Sequence, residues 1–144
     1  MSGKNEKIVY TGHFVTNQDE LLWQLPPAIT GEGSTVHAHH VTKEFMPADG
    51  KEGIEPGRGR VLRITGQVIG EGVHAAVVES ADGSPLSRNE YPHITIATAE
   101  GVSPVKSNEV VAKAHREGTV KPVEPPIALR TVEGYFDGEQ VHTQ

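Results

Sequence analysis

The chain has no cysteine. That excludes disulfides, thiolate nucleophiles and Cys-ligated zinc, and it removes the usual clue to redox compartment. No stretch approaches ~18 consecutive apolar residues, so no membrane span is expected. The opening stretch, MSGKNEKIVYTG, lacks the apolar run of a signal peptide, so a cytoplasmic location is the expectation. Aromatic residues are scarce: Trp23, three Phe and three Tyr. A core must therefore rest mainly on Val, Ile, Leu and Ala. Positive charge is also short, with 13 Lys and Arg against 19 Asp and Glu and a net charge of −6. Such a field disfavours a long duplex nucleic acid. A nucleotide or a single RNA end held in a local pocket is compatible with it.

What is present is a soluble-type composition of 144 residues, 35% hydrophobic and 22% charged, which predicts a single domain over 1–144. Alternation predicts strands over Lys7–Val15, Val36–Phe45, Arg60–Ile69, Val73–Ser80, Tyr91–Thr98 and Ile127–Phe136. Gly70-Glu71-Gly72 joins the third and fourth as a hairpin. A short helix carries Leu21, Leu22 and Leu25, with Thr16 or Asn17 as its N-cap, and stops by Pro26-Pro27. A second helix starts near Pro104 or Ser107, carries Val110, Val111 and Ala114, and stops at Gly118. Met46–Gly59 and Ala81–Asn89 read as loops, and Thr119–Pro126 as extended chain. The order β-α-β, hairpin, β-α-β predicts an internally duplicated α+β fold.

Two copies of one pattern stand out: His40-Val41-Thr42 and His93-Ile94-Thr95. Residues i and i+2 of a strand share a face, so each copy sets an imidazole beside a hydroxyl. The aliphatic residue between them points to the core. On this alternation Ala38, His40, Thr42 and Glu44 share one face against Val41 and Phe45, with Lys43 as the awkward member; His93, Thr95 and Ala97 oppose Ile94 and Ile96. A single His-x-Thr is an ordinary strand histidine. Two inside strands, each around a β-branched residue, are a site when they face one another. They then supply two acid/base groups and two hydroxyl donors around one small anion, enough to open a phosphodiester without a metal or cofactor.

The motif pair resembles the 2H phosphoesterase superfamily, named for two His-x-Thr/Ser motifs. Tyr91-Pro92-His93-Ile94-Thr95-Ile96-Ala97-Thr98, followed by Gly101-Val102-Ser103-Pro104-Val105-Lys106-Ser107-Asn108-Glu109, is similar to the cyclic phosphodiesterase domain of fungal and plant tRNA ligases. The resemblance implies a bilobal, pseudo-twofold α+β fold with antiparallel sheets lining a central cleft and helices outside. It implies hydrolysis of a 2′,3′-cyclic phosphate to a 2′-phosphate, with His93 as base, His40 as acid, and Thr42 and Thr95 steadying the phosphoryl oxygens. The chain is short for the superfamily and its motifs are closely spaced.

Tyr10 and Tyr91 are candidates to stack on a base, against ordinary strand-end packing. Ser107 is a candidate phosphate contact and, with Asn108, a candidate helix cap. Arg88 and Lys43 are candidate phosphate contacts or plain surface charge. His13, His74, His115 and His142 show no partner pattern. Three other readings compete. The same four motif residues suit hydrolysis of cyclic oligonucleotide messengers, as in some phage 2H proteins. A 2H domain can also bind a nucleotide without turnover. Finally, Gly31, His37, His39 and Glu44 resemble the first metal motif of cupins, although the closing glycine comes one residue early, at Gly50, and no second motif surrounds His93. The sequence leaves oligomeric state and base preference open.

Overall fold

The computed structural model describes residues 8–47, 54–81 and 91–144. The elements run β1 (Tyr10–Val15), α1 (Gln18–Gln24), β2 (Thr35–Val36), β3 (His40–Phe45), β4 (Gly59–Gly70), β5 (Val73–Ser80), β6 (His93–Thr98), α2 (Lys106–Glu117), β7 (Lys121–Phe136) and β8 (Val141–His142). This is the expected order with two additional two-residue strands, β2 and β8. The final strand starts at Lys121 and so absorbs most of the stretch expected to be merely extended. Within Met46–Gly59 and Ala81–Asn89, residues 48–53 and 82–89, Arg88 included, lie outside the described residues.

The strands form one sheet in the order β1-β3-β6-β5-β4-β7-β8, with β2 on β6. A further pairing of β1 with β7 closes six of them into a barrel. The architecture is thus mostly β, a closed six-stranded barrel with two helices, where the element order predicts a duplicated α+β fold and the family resemblance implies sheets lining a cleft. The closure is uneven. The β4–β7 seam runs through eight residue pairs, whereas β3 and β6 meet at one, Val41 opposite Ile94.

Inside the barrel the inward residues of five of the six wall strands pack together, Val41, Leu62, Ile64, Ala76, Val78, Ile94, Ile96, Ile127 and Leu129, and half-buried Val15 of β1 packs against them. Leu21 of α1 and Leu25, its C-cap residue, join them, so the short helix packs against the same core. Asn17 is the N-cap residue of α1 by position, but its side chain makes no cap bond. Instead it accepts from the Arg130 N–H at 2.9 Å and donates to the Ala128 carbonyl at 3.4 Å, tying α1 to β7. A second apolar cluster lies on the outer face. There Val110, Val111 and Ala114 of α2 cover Val68 of β4 and Val73, Ala75 and Val77 of β5. Gly118 ends α2 in the left-handed conformation (φ 70°), as a C-terminal glycine does. Glu71 (φ 52°) and Gly72 (φ 78°) make the tight β4–β5 turn.

Two irregularities decide which side chains face outward. On β3, Thr11 pairs with Glu44 and Gly12 with Thr42, so Lys43 is the extra residue of a bulge. Beyond it the alternation reverses, and Phe45 leaves the Val41 face. On β6, Ala75 pairs with Thr95 and His74 with Ala97, so Ile96 is the extra residue, and Ala97 joins the barrel core. The strand expected from Val36 also breaks at 37–39, where Ala38 takes a positive φ of 49° and is fully buried. Ala38 and Ala97 therefore do not flank the His-Thr pairs as strict alternation predicts.

Ile94 is fully buried at the weak seam. Ile94→Ala is expected to cost about 2–5 kcal/mol, the range for removing buried methyl and methylene groups. Urea unfolding checks this; a loss below ~1 kcal/mol would show that the β3–β6 contact contributes little.

Candidate functional site

Val41 and Ile94 are both buried inside the barrel, so their strand neighbours point out. Continuing the antiparallel register one residue each way sets His40 beside Thr95 and Thr42 beside His93. The two motifs thus stand side by side on adjacent strands, related by a local twofold through the Val41–Ile94 pair. A pocket of about 470 Å³ opens over them. It is lined by His40, Thr42, His93 and Thr95, by Tyr10 and Ser107, and by Val9, His37, His39, Phe45, Pro104, Val105 and Asn108. Its size falls in the range of small-molecule sites.

The helix α2 closes one side. Its N-terminus abuts β6 because its apolar face is fixed on β5. Ser107 is buried and turns to the strand rather than capping the helix; α2 has Val105 as its N-cap residue and no side-chain cap bond. The Ser107 hydroxyl donates to the Pro104 carbonyl at 2.6 Å. Its single hydrogen is then used, so the Thr95 hydroxyl, 2.7 Å away, donates to Ser107 Oγ. His93 Nε2 lies 3.2 Å from the same Oγ, a contact that has a hydrogen to share only when Nε2 is protonated. On its other side His93 Nδ1 is 2.8 Å from the Tyr91 carbonyl. A carbonyl only accepts, so the hydrogen of neutral His93 sits on Nδ1 and Nε2 is the basic nitrogen.

Opposite, the His40 ring stacks on Tyr10 at 4.5 Å and 19°. Tyr10 Oη is 3.4 Å from His40 Nδ1, and His39 Nδ1 is 3.0 Å from the same nitrogen. The 37–39 segment that presents these rings is held on three sides. His37 N–H and Ala38 N–H donate to the Ile96 and Thr95 carbonyls of β6, both at 2.8 Å, and Val15 N–H donates to the His39 carbonyl at 2.9 Å. Gln18 Nε2 donates to the His37 and Ala38 carbonyls at 2.8 and 3.1 Å. The His37 side chain is taken up by Thr98, 3.0 Å away.

Burial disfavours the charged form of each imidazole here. His40 is pushed down to about 4, chiefly by desolvation, with the neighbouring His39, His93 and His37 adding to the effect. Desolvation also lowers His93, against the opposing pull of the Tyr91 carbonyl. It lowers His37, with His39 adding to the effect, and it lowers His39. The Tyr10 phenol is pushed up to about 12 by burial, so it stays protonated.

Of the residues singled out in the sequence, His40, Thr42, His93, Thr95, Tyr10 and Ser107 come together in this pocket. Tyr91 does not line it. Its ring stacks on His115 of α2 at 4.0 Å and 10°, and only its carbonyl serves the site. Tyr91 as a base-stacking residue is therefore corrected to a helix-packing one. Lys43 is the bulge residue and not a lining side chain. Phe45 (66% exposed) and Val105 (70% exposed) form a rim that strict alternation misses. The poor fit of Lys43 to its strand is the signal that could have revealed Phe45. Among the described residues no group of three or more His, Asp or Glu side chains is placed to hold a metal ion. The cupin-like grip fails locally because the left-handed turn at Ala38 takes His37 and His39 off a common strand face. Among the described residues no helix is long and apolar enough to cross a membrane. Compared with models of known protein families and with curated proteins, the chain matches none.

The lowered imidazoles link stability to pH. An unfolded histidine takes a proton near pH 6.5, whereas folded His40 waits until about 4. Below pH 6.5 the unfolded chain therefore binds more protons, and acid destabilises the fold. Buried His74 adds to this, since its Nδ1 accepts from the Ala28 N–H at 3.0 Å and its pKa is lowered by desolvation. The contribution should be complete above about pH 6.5 and be lost progressively towards pH 4. Thermal melts should fall between pH 7 and pH 5, less steeply for His40→Asn; a melting temperature that ignores pH over this span would contradict the burial of these rings.

Proposed function

We propose that the chain is a metal-independent phosphodiesterase of the 2H type, acting on a nucleotide phosphodiester, most plainly a 2′,3′-cyclic phosphate opened to a 2′-phosphate. The observation that carries this reading is the single Val41–Ile94 pairing, which sets two imidazoles and two threonine hydroxyls around one pocket. The bilobal pseudo-twofold form of that family is part of the same proposal. It is supported by the local twofold and by the one-pair seam, on whose two sides the motif strands lie.

The chemistry follows from the hydrogen bonds. A water approaches phosphorus opposite the O3′ leaving group, and His93 Nε2 takes its proton. As an imidazolium, His93 donates Nε2–H to Ser107 Oγ, which keeps its own hydrogen on Pro104. The P–O3′ bond breaks, and O3′ takes the proton of His40 imidazolium, leaving a 2′-phosphate. Thr42 and Thr95 donate to the non-bridging oxygens as charge builds there; Thr95 exchanges its bond to Ser107 for one to phosphate. A bound phosphodiester anion favours the protonated His40, reversing the effect that holds it near 4.

His40→Ala and His93→Ala should each reduce turnover at least ~100-fold, the scale for losing a general acid or base. Thr42→Ala and Thr95→Ala should lose less. The measurement is product analysis with cyclic mononucleotides, cyclic-phosphate RNA ends and cyclic dinucleotides in excess chelator. Turnover of the cyclic dinucleotides alone would move the substrate to messenger degradation. Stoichiometric binding without turnover would make the domain a nucleotide binder. Loss of activity in chelator, with a metal bound stoichiometrically, would favour the cupin-like reading.

Because both imidazoles are held below their ordinary value, the protonated partner is scarce in the free protein at pH 7. The kcat/KM profile should be a bell with its maximum on the acid side of neutrality, while kcat, which reports the complex, peaks higher. A flat profile from pH 5 to 9 would remove the two-histidine mechanism.

A further inference from the structure

Consecutive residues of a strand point to opposite faces, so neighbouring side chains do not touch. His39 and His40 break this rule. The left-handed turn at Ala38 brings their rings edge to face, 5.2 Å apart at 87°, with the two Nδ1 atoms at 3.0 Å. Two ring nitrogens at that distance share one hydrogen: one donates and the other accepts. The pair is held in place. Phe14 packs edge-on against His39 at 5.5 Å, Tyr10 stacks on His40, and Val15 N–H fixes the His39 carbonyl.

The direction of the shared hydrogen follows from what His40 must do. As an imidazolium it carries hydrogens on both nitrogens, so His39 Nδ1 can only accept. After Nε2–H has gone to the leaving oxygen, His40 keeps its hydrogen on Nδ1, still pointing at His39. With His39 as acceptor, one arrangement serves both states and no hydrogen between the rings has to move. With His39 as donor, its Nδ1 hydrogen would have to pass to His40 as a proton arrived at His39 Nε2, so a hydrogen would cross between the rings each time His40 was charged. The other catalytic ring shows the same device, since His93 Nδ1–H is held by the Tyr91 carbonyl at 2.8 Å.

We propose that His39 is a positioning residue for His40, accepting its Nδ1–H across the 3.0 Å contact and so presenting Nε2 to the pocket. The proposal rests on the reading of His40 as the proton donor. His39 thereby fills the place that a carboxylate or carbonyl takes beside a catalytic histidine. Being neutral, it orients the ring without adding a negative charge. Among the described residues, the titratable groups shown to act on His40 are Tyr10 from β1, His37 and His39 from the preceding segment, and His93 from β6. None of these is a carboxylate that could hold the imidazolium in its place.

Two measurements on the full chain test this. The first is nitrogen-15 NMR of the histidines at pH 8 without ligand. His40 should carry its hydrogen on Nδ1 in the wild type and in His39→Asn, whose amide oxygen can stand where Nδ1 stood. In His39→Ala it should shift towards the Nε2–H form. A wild-type Nε2–H form, or a tautomer unchanged by His39→Ala, would overturn the proposal. The second is turnover of adenosine 2′,3′-cyclic phosphate. His39→Ala should lower kcat roughly tenfold with KM within about twofold, and His39→Asn should recover most of it. Loss of kcat in both variants alike would also overturn it. The tautomer measurement separates the two readings. The expected tautomers without any turnover would leave the positioning role standing and sink the phosphodiesterase. Turnover with an unresponsive tautomer would do the reverse.

Discussion

One residue pair, Val41 against Ile94, organises this molecule. Both side chains are buried in the barrel, and burial is worth roughly 1.5–3 kcal/mol for each. That apolar contact forces their neighbours outward, and the neighbours are the two histidines and two threonines. A one-residue slip in either strand would turn the polar set into the core and the aliphatic set into water. The placement of the site is therefore enforced by the hydrophobic effect, and hydrogen bonds only refine it.

The refinement comes from segments that are themselves pinned. The N-terminus of α2 is set by its apolar packing on β5 and delivers Ser107 to His93 and Thr95. The Tyr91 carbonyl fixes the other edge of His93, while the Tyr91 ring braces the same helix through His115. On the opposite side the 37–39 backbone bonds to β6, β1 and Gln18 of α1, although it belongs to no strand. Loop geometry held this firmly costs little entropy to keep organised for a ligand.

The electrostatics are those of a site built from neutral donors. Among the described residues the pocket is lined by four histidines and by no Lys, Arg, Asp or Glu. Burial holds all four imidazoles below their ordinary value, so positive charge arrives only with protons. Under the phosphodiesterase reading the substrate's own charge brings the acid into its working state. A chain of net charge −6 then needs no fixed cations to hold one small anion.

Periodicity was enough to read nearly every element and both His-Thr pairs, because alternation and turn chemistry are local. The burial of Val41, Ile94 and Ile96 and the stop at Gly118 belong to this class. The bulges at Lys43 and Ile96 and the left-handed Ala38 were not legible, since each follows from fitting strands into a closed wall. They moved Phe45 into the pocket lining, took Ala38 and Ala97 out of it, and joined His39 to His40. Ser107 could be read as a cap or a contact, and only the packing of α2 against β5 chose between them. The sequence by itself determined which residues form the two His-Thr pairs and which faces they share along a strand. The tertiary structure alone decided that β3 and β6 are neighbours in register and that a single sheet closes on itself. Pairing between distant strands is chosen by the whole core at once, and no local pattern encodes it.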